Sequence, residues 1–313
     1  MASHLDKFGR PLVVVTGMGV ITSLGQGKDE NWTAITSGVS GIHRITRFAT
    51  EGLRTTIAGT VDTVPFEPNC APVLSERLAE IAANEAVAQS GIGRAGDFPG
   101  PLFMAVPPVE MEWPQRQAIA VAIRDKDPLT MKDFIARVSE GGFEGYHDLF
   151  MFAGVAGRIA DRFGTKGSPI SLSTACSSGA TAIQLGIEAI RRGETDAALC
   201  IGTDGSVQAE ALIRFSLLSA LSTQNEIPEQ ASKPFSKNRD GFIMGEGAAA
   251  LVIESSASAA ARGARILGYM LGAGDRGDGF HRTRSSPDGK PIILDMQDAV
   301  QDAVLTPDAI DYV

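Results

Sequence analysis

Several residue types that mark other classes of protein are scarce in this 313-residue chain. It has three cysteines, an odd number without a framework spacing, which argues against a disulfide-stapled secreted domain and favours a reducing compartment. Residues 1–7 lack the basic-then-apolar pattern of a signal peptide. There is no block of lysine or arginine and the net charge is −9, so nucleic-acid binding is not expected. We therefore expect a cytoplasmic protein.

Long hydrophobic runs are also scarce. The longest uncharged run, residues 167–187, is rich in serine, threonine and glycine, which predicts a buried strand and helix rather than a membrane span. A hydrophobic content of 43% with a mean hydropathy of +0.04 indicates a globular chain that can bury a large core. Glycine is abundant, with 35 residues, and this suits a fold with many tight turns. No membrane contact is expected.

Apolar strand patterns alternate with amphipathic helix patterns, which predicts an α/β fold. Strands are predicted over residues 11–22, 55–61, 102–106, 169–173, 197–202 and 265–273. Helices are predicted over residues 28–37, 74–89, 147–163, 176–192, 208–218 and 292–304. A hairpin is predicted around residues 241–254, and residues 107–145 form the least regular part.

The segment Ser173-Thr-Ala-Cys-Ser-Ser-Gly179 joins a predicted buried strand, residues 169–173, to a predicted helix. Cys176 thus lies at the amino end of that helix, where unpaired N–H groups and the macrodipole favour a thiolate. A backbone N–H beside the sulfur can also stabilise an oxyanion. These features predict that Cys176 is a nucleophile for acyl transfer.

The other two cysteines have different surroundings. Cys200 lies inside the apolar run Ala197-Ala-Leu-Cys-Ile201, which is typical of a core strand. Cys70 lies between two prolines, and we expect a loop thiol there. Free cysteines are usually small buried hydrophobes, so neither is expected to be functional.

The Cys176 segment resembles the active-site motif of the β-ketoacyl-[acyl carrier protein] synthases, the condensing enzymes of fatty-acid synthesis in the thiolase superfamily. Three further segments resemble those of the family and occur in its order: residues 13–25, residues 220–225 (Ala-Leu-Ser-Thr-Gln-Asn) and residues 233–248, which contain Arg-Asp-Gly-Phe. The resemblance extends over residues 11–313.

The resemblance implies a thiolase-like αβαβα layered sandwich built from two similarly folded halves. Residues 1–260 then form the complete first half, with a cap insertion at about residues 107–145. Residues 261–313 form only the start of the second half and end before the segment that carries the family's catalytic histidines.

The implied reaction is a decarboxylating Claisen condensation, in fatty-acid elongation, of an acyl thioester on Cys176 with malonyl-[acyl carrier protein]. The family also uses two histidines and a lysine, and no residue of this chain matches them. We therefore expect the chain as written to present an acylatable thiol without catalysing the full condensation.

The resemblance also implies substrate contacts. Val109 and Phe215 match residues that line the family's acyl pocket, although each also fits a simple core position. His281 and Thr283 align near the pocket mouth, where they would contact the pantetheine arm or the incoming substrate, or stabilise a loop. No metal or resident cofactor is expected, because the acyl and malonyl groups are carried on the phosphopantetheine of acyl carrier protein. A homodimer is expected.

Docking of an acidic carrier protein requires a basic patch. The candidates are Arg124, Lys126, Lys132 and Arg137, which fit ordinary solvated charges equally well.

Three other functions remain open. A Cys–His hydrolase needs a base motif that we do not find. A non-catalytic partner subunit of this family would lack Cys176. A truncated or non-catalytic member would retain only the acylatable thiol, or a dimerisation role through residues 169–173.

Overall fold

Strands and helices alternate along the computed structural model, which describes residues 4–65, 70–93, 96–124, 130–281 and 284–313. The strands are β1 (Val13–Thr22), β2 (Gly25–Gln26), β3 (His43–Arg44), β4 (Ile57–Ala58), β5 (Leu102–Ala105), β6 (Ile170–Leu172), β7 (Ala197–Asp204), β8 (Gly247–Ser255) and β9 (Gly268–Met270). The helices are α1 (Lys28–Thr36), α2 (Ala71–Ser90), α3 (Trp113–Ile123), α4 (Met131–Ser139), α5 (Glu144–Phe150), α6 (Gly154–Phe163), α7 (Ser178–Arg191), α8 (Ala209–Leu217), α9 (Ser256–Ala261) and α10 (Lys290–Ala303). The alternation agrees with the predicted α/β class.

One mixed sheet organises the molecule, in the order β2-β1-β8-β7-β5-β6, with β9 also paired to β1. Strands β6, β5 and β7 run parallel, whereas β8 is antiparallel to both β7 and β1. The central strand β7 reads as a continuous apolar run because helices cover both of its faces. Residues 241–254 do not form the predicted hairpin. Their apolar part is one long central strand, β8, paired on both sides.

Helices α2 and α6 cover one face of the sheet, and α7 covers the other. The backbone of α2 approaches β1 so closely that a Cβ on Gly19 would lie 1.9 Å from the carbonyl oxygen of Ala82. On the opposite face, a Cβ on Gly186 of α7 would lie 2.6 Å from the Cys200 sulfur. Glycine therefore sets the spacing between layers on both faces. Helix α2 begins three residues earlier than predicted because Pro72 suits the first turn of a helix.

The strand predicted over residues 169–173 is shorter and less buried than expected. Strand β6 spans Ile170–Leu172, and Ile170 is 44% exposed. The physical reason is its position at the edge of the sheet, where only β5 pairs with it among the described strands. The prediction that this strand is buried was wrong.

Residues 107–145 are more regular than predicted, because α3, α4 and the start of α5 lie there. Helix α4 begins with a capping box, in which Thr130 and Asp133 each bond the other's backbone N–H. The helix predicted over residues 147–163 is divided into α5 and α6, since Met151 takes an extended backbone conformation between them. Cys70 is fully buried at the start of α2, so the prediction of a loop thiol was also wrong.

Candidate active site

The thiol of Cys176 lies on a tight turn between β6 and α7. Residues Ala175–Ser177 form one 3-10 turn, and α7 begins at Ser178. Ala175 takes a left-handed conformation with φ of 57°, which a residue with a Cβ adopts only when its surroundings hold it there. Cys176 itself is exposed and not disulfide-bonded. The turn thus presents the sulfur at the amino end of a 14-residue helix.

Short-range hydrogen bonds hold this turn. The Ser178 hydroxyl accepts from the backbone N–H of Thr174 at 2.8 Å and donates to the carbonyl oxygen of Ala175 at 2.6 Å. The Ser177 hydroxyl donates to the carbonyl oxygen of Thr174 at 2.9 Å. The Thr174 hydroxyl lies 3.1 Å from that of Thr181, one turn into α7. The small polar side chains around Cys176 therefore satisfy backbone groups that the left-handed turn leaves outside the helix.

The parallel strands bring the Cys176 turn and the start of the cap segment to the same edge of the sheet. Ala105 of β5 pairs with Leu172 of β6, and the N–H of Val106 donates to the carbonyl oxygen of Leu172 at 3.1 Å. Cys176 follows Leu172 by four residues, as Val109 follows Ala105. Ligands of open α/β sheets bind outside the carboxyl ends of the strands, and this edge is such a place.

A cavity of about 490 Å³ opens at this edge. Val109 and Phe215 both line it, as the resemblance implied for an acyl pocket. Phe215 is 37% exposed, and its ring packs edge-on against Phe242 at 5.3 Å between centroids. Among the described residues that line the cavity, neither Cys176 nor His281 appears.

A buried ion pair fixes one wall of the cavity. Glu246, next to the lining residue Gly245, accepts from the Arg47 guanidinium at 2.7 and 2.9 Å. It also accepts from the backbone N–H groups of Val61 at 3.0 Å and Val207 at 3.3 Å. Burial raises the pKa of Glu246, and Arg47 opposes that shift. Glu246 therefore joins its own segment to three others, those of Arg47, Val61 and Val207, beside the cavity wall.

Glu112, on the cap segment, is a further lining residue that sequence reasoning missed. It is only 7% exposed, and its Oε1 accepts from the backbone N–H of Ala71 at 2.7 Å. Burial raises its pKa to about 7, with Glu210 and Glu110 adding to the shift while Ala71 and Arg214 oppose it. In the sequence, Glu110 and Glu112 look alike, since both are acids beside apolar residues. Only the contact of Glu112 with the start of α2 shows which of the two carboxyl groups is buried.

None of the remaining candidates that the structure describes lines the cavity. His281 is exposed, in the segment between β9 and α10. Thr283 lies outside the described residues. Of the basic docking candidates, Arg124 and Lys132 are exposed, and Arg137 pairs with Glu140 at 3.7 Å. The fourth docking candidate, Lys126, is also outside the described residues.

The three thiols differ in exposure. Cys200 is buried in β7, and burial raises its pKa to about 12. Cys70 is buried where α2 begins, and burial raises its pKa to about 11, with the nearby charge of Glu112 acting in the same direction. Cys176 is the exposed one.

The described residues lack two kinds of feature. They contain no cluster of three or more His, Cys, Asp or Glu side chains arranged to hold a metal ion. They also contain no helix with the length and apolar character that crossing a membrane requires.

The chain is similar in sequence to known ketosynthases. It is 30% identical to the tetracenomycin polyketide synthase ketoacyl synthase alpha subunit of Streptomyces glaucescens, over 100% of this chain and 73% of that protein. It is 33% identical to 3-oxoacyl-[acyl-carrier-protein] synthase 2 of Staphylococcus aureus, over 96% of this chain and 71% of that protein.

Solved structures of ketosynthases are also similar to this chain. A β-ketoacyl synthase from Burkholderia phymatum matches with a TM-score of 0.78 and 28% identity, over 96% of this chain and 72% of that one. A type II polyketide ketosynthase, bound to a hexaketide and in complex with its acyl carrier protein, also has a TM-score of 0.78, with 25% identity over 97% and 72% of the two chains. The predicted thiolase-like fold is therefore confirmed.

The model of the β-ketoacyl synthase N-terminal domain matches residues 11–259, which include the Cys176 turn and the cavity-lining residues Val109 and Phe215. The match extends over most of the chain and agrees with both sets of relatives. The chain belongs to the β-ketoacyl synthase family.

Proposed function

We propose that Cys176 accepts an acyl group from an acyl thioester, as the first half-reaction of a β-ketoacyl-[acyl carrier protein] synthase in fatty-acid elongation. One observation carries the proposal: an exposed thiol on a left-handed strand-to-helix turn at the carboxyl edge of the sheet. The cavity with Val109 and Phe215 at the same edge supports an apolar acyl chain as the group transferred.

In this half-reaction, the Cys176 thiolate attacks the carbonyl carbon of the incoming thioester. The carbonyl oxygen becomes an oxyanion, which we expect backbone N–H groups at the amino end of α7 to stabilise. The intermediate then collapses, the bond to the pantetheine sulfur breaks and the pantetheine leaves as a thiolate, which takes up a proton from solvent. The acyl group remains as a thioester on Cys176.

The second half-reaction forms the carbon–carbon bond. Malonyl-[acyl carrier protein] loses CO₂, and its enolate carbon attacks the thioester carbonyl carbon on Cys176. The bond to sulfur breaks, which regenerates the Cys176 thiolate and leaves a 3-oxoacyl chain on the carrier protein. By resemblance, the histidines and lysine that assist this step belong to the family's C-terminal segment.

Acyl carrier protein is the proposed donor of the acyl group. Its support is the related type II ketosynthase structure, which is described as a complex with its carrier protein. Arg124 and Lys132 are exposed on the cap segment and supply positive charge for an acidic partner.

Intact-mass measurement tests the proposal. The protein is incubated with an acyl-[acyl carrier protein], and the expected result is one added acyl group in the native protein and none in Cys176→Ala. Cys70→Ala is the matched control and should still gain the acyl group, because Cys70 is buried. Acylation that persists in Cys176→Ala, or that fails in the native protein, would contradict the proposal.

A dimerisation role is the second candidate, and the exposed edge strand β6 favours it. Ile170 is 44% exposed there, and an unpaired strand edge can pair with a second copy of the chain. Sedimentation velocity checks this role. A dimer that Ile170→Lys converts to a monomer would support pairing through β6, whereas a monomeric native protein would exclude it.

A further inference from the structure

The cavity beside Val109 and Phe215 combines an apolar lining with an excess of negative charge. Most of the described residues that line it are apolar, but four are acidic: Glu110, Glu112, Asp204 and Glu210. Arg214 is the one basic residue among the lining residues that the structure describes. A chain that enters this cavity therefore meets walls whose charges are mainly of one sign.

Two arginines offset part of this charge. Arg214 pairs with Glu110, and Arg116 lies 3.2 Å from Glu110 and 3.7 Å from Glu210. All four side chains keep access to solvent, so these are surface ion pairs, which water screens. Each pair nevertheless places a positive charge beside a negative one. Glu110 and Glu210 are therefore partly compensated.

Glu112 and Asp204 are the two lining acids that form no ion pair within the described part of the chain. Oε1 of Glu112 accepts from the N–H of Ala71 at 2.7 Å, and Oδ1 of Asp204 accepts from the N–H of Ser206 at 2.8 Å. Backbone N–H groups are dipoles without net charge, so they stabilise these carboxylates but do not neutralise them. The walls thus carry two negative charges without an ion-pair partner.

Glu112 also shows how an anion responds to its neighbours here. Its side chain belongs to a residue only 7% exposed, and burial raises its pKa, with the negative charges of Glu210 and Glu110 adding to the shift and Arg214 opposing it. Charges act over several ångströms without contact, and a low-dielectric wall screens them less than water does. An anionic group of a ligand in this cavity would meet the same charges, and that of Glu112 as well.

We propose that the charge of these walls excludes acyl chains that end in a carboxylate, with Glu112 and Asp204 as the specificity-determining residues. The inference rests on the proposed function, in which this cavity holds the acyl chain destined for Cys176. It goes beyond that function because it names the class of chain that the cavity rejects. A neutral saturated chain remains the preferred occupant, since it buries apolar surface and brings no charge.

The cost of burying any ion has to be separated from the effect of these charges. A carboxylate loses water in an apolar cavity, and an ammonium group does so too. The two ions differ in sign, so the same negative walls repel the carboxylate and attract the ammonium. A comparison of the two therefore reports the charge of the walls.

Binding to the Cys176→Ala protein tests the inference, because this variant cannot form the thioester. The ligands are acyl pantetheines of equal chain length that end in a methyl, an ammonium or a carboxylate group. Titration calorimetry at pH 8, above the pKa of Glu112, measures their affinities. We expect the methyl-ended chain to bind most tightly and the ammonium-ended chain to bind about tenfold more tightly than the carboxylate-ended one.

A charge-removing variant and a matched control assign the effect to residues. Glu112→Gln with Asp204→Asn, added to Cys176→Ala, keeps a carbonyl oxygen at each position and should bring the ratio of ammonium to carboxylate affinity close to one. Glu140→Gln with Asp148→Asn removes the same net charge from exposed side chains that are not among the described lining residues. This control should keep the ratio. Thermal unfolding shows whether each variant is folded, and the single substitutions replace a pair that is not.

Several outcomes would overturn the inference. They are equal affinities for the two charged chains, tighter binding of the carboxylate, and a ratio that survives the cavity variant or falls equally in the control. Absence of measurable binding of all three ligands would also overturn it, because the cavity would then hold no acyl chain.

Acylation of the native thiol is measured separately by intact mass, which distinguishes this inference from the proposed function. If the thiol accepts acyl groups but the two charged chains bind equally, only the inference fails. If the ratio is found but the thiol is never acylated, only the proposed function fails.

Discussion

The two parts of the candidate site are held by different kinds of interaction. The Cys176 turn is held by hydrogen bonds between residues no more than seven positions apart, such as that between the hydroxyls of Thr174 and Thr181. The cap segment is held by residues about a hundred positions away. Glu110 pairs with Arg214, 104 positions on, and the N–H of Trp113 donates to Glu210, 97 positions on. The turn therefore carries its own support, whereas the cap depends on α8 and α2.

Because the two parts are held by different contacts, we expect the reactivity of the Cys176 thiol and the shape of the cavity to respond to different substitutions. A change in the turn should alter the reactivity of the thiol and leave the cavity as it is. A change in the cap should alter the cavity and the stability of the cap without changing the thiol.

The largest expected effect is on thiol labelling. With a pKa of about 11, only about one Cys70 thiol in a thousand is ionised at pH 8, and the side chain is also buried. Cys176 is exposed on its turn. We expect iodoacetamide to label Cys176 at least about 100-fold faster than Cys70, because both ionisation and access limit Cys70. Peptide mass spectrometry over a pH series measures both rates. Equal rates would mean that the turn does not present the thiol.

The second prediction concerns Glu112 and pH. The pKa of this carboxyl is about 7 in the folded protein, above its ordinary value of 4.5, so the folded state holds the proton more tightly than the unfolded state. Stability from this group is therefore complete below pH 4.5 and is lost as the pH rises through 7. The loss amounts to about 3 kcal/mol. Glu112→Gln removes the titration while its amide oxygen can still accept from Ala71.

Urea unfolding at several pH values measures this effect. Relative to the native protein, Glu112→Gln should gain stability steadily between pH 4.5 and 7 and then stay level. Gln115→Met is the control: residue 115 does not titrate in either form, so its effect on the free energy of unfolding should not vary with pH. A pH-independent effect of Glu112→Gln would contradict the raised pKa.

The third prediction returns to the turn. Ser178→Ala removes one hydroxyl that serves both the N–H of Thr174 and the carbonyl oxygen of Ala175. Because Ser178 is buried, we expect a loss of about 2 kcal/mol in the free energy of unfolding, together with slower acylation of Cys176. Ser177→Ala is the matched control, since its exposed hydroxyl bonds only to Thr174, at the carbonyl oxygen and at the side-chain hydroxyl, and serves no buried backbone N–H group. Equal losses of stability and equal acylation rates in Ser178→Ala and Ser177→Ala would contradict this prediction.

The same contrast explains which features could be predicted from the sequence. The Cys176 turn was predicted because small residues between a strand pattern and a helix pattern act locally. The burial of Ile170 was predicted wrongly, since the sequence does not tell which strand occupies the edge of a sheet. The burial of Cys70 and Glu112 was missed for a related reason. It arises where the cap segment meets the start of α2, and that contact joins residues 41 positions apart.

The smallest effect tests the strain at the turn directly. The left-handed conformation of Ala175 costs roughly 1–2 kcal/mol, whereas glycine adopts this conformation freely. Glycine also adds about 0.4–1 kcal/mol of chain entropy to the unfolded state, so Ala175→Gly should stabilise the protein by at most about 1.6 kcal/mol. Acylation of Cys176 should nevertheless slow, because a glycine holds the turn less firmly. Ser219→Gly is the matched control, with φ of 52° at the end of α8. It should give a similar gain in stability and leave acylation unchanged, and slowing in both variants would mean that the strain at residue 175 does not position the thiol.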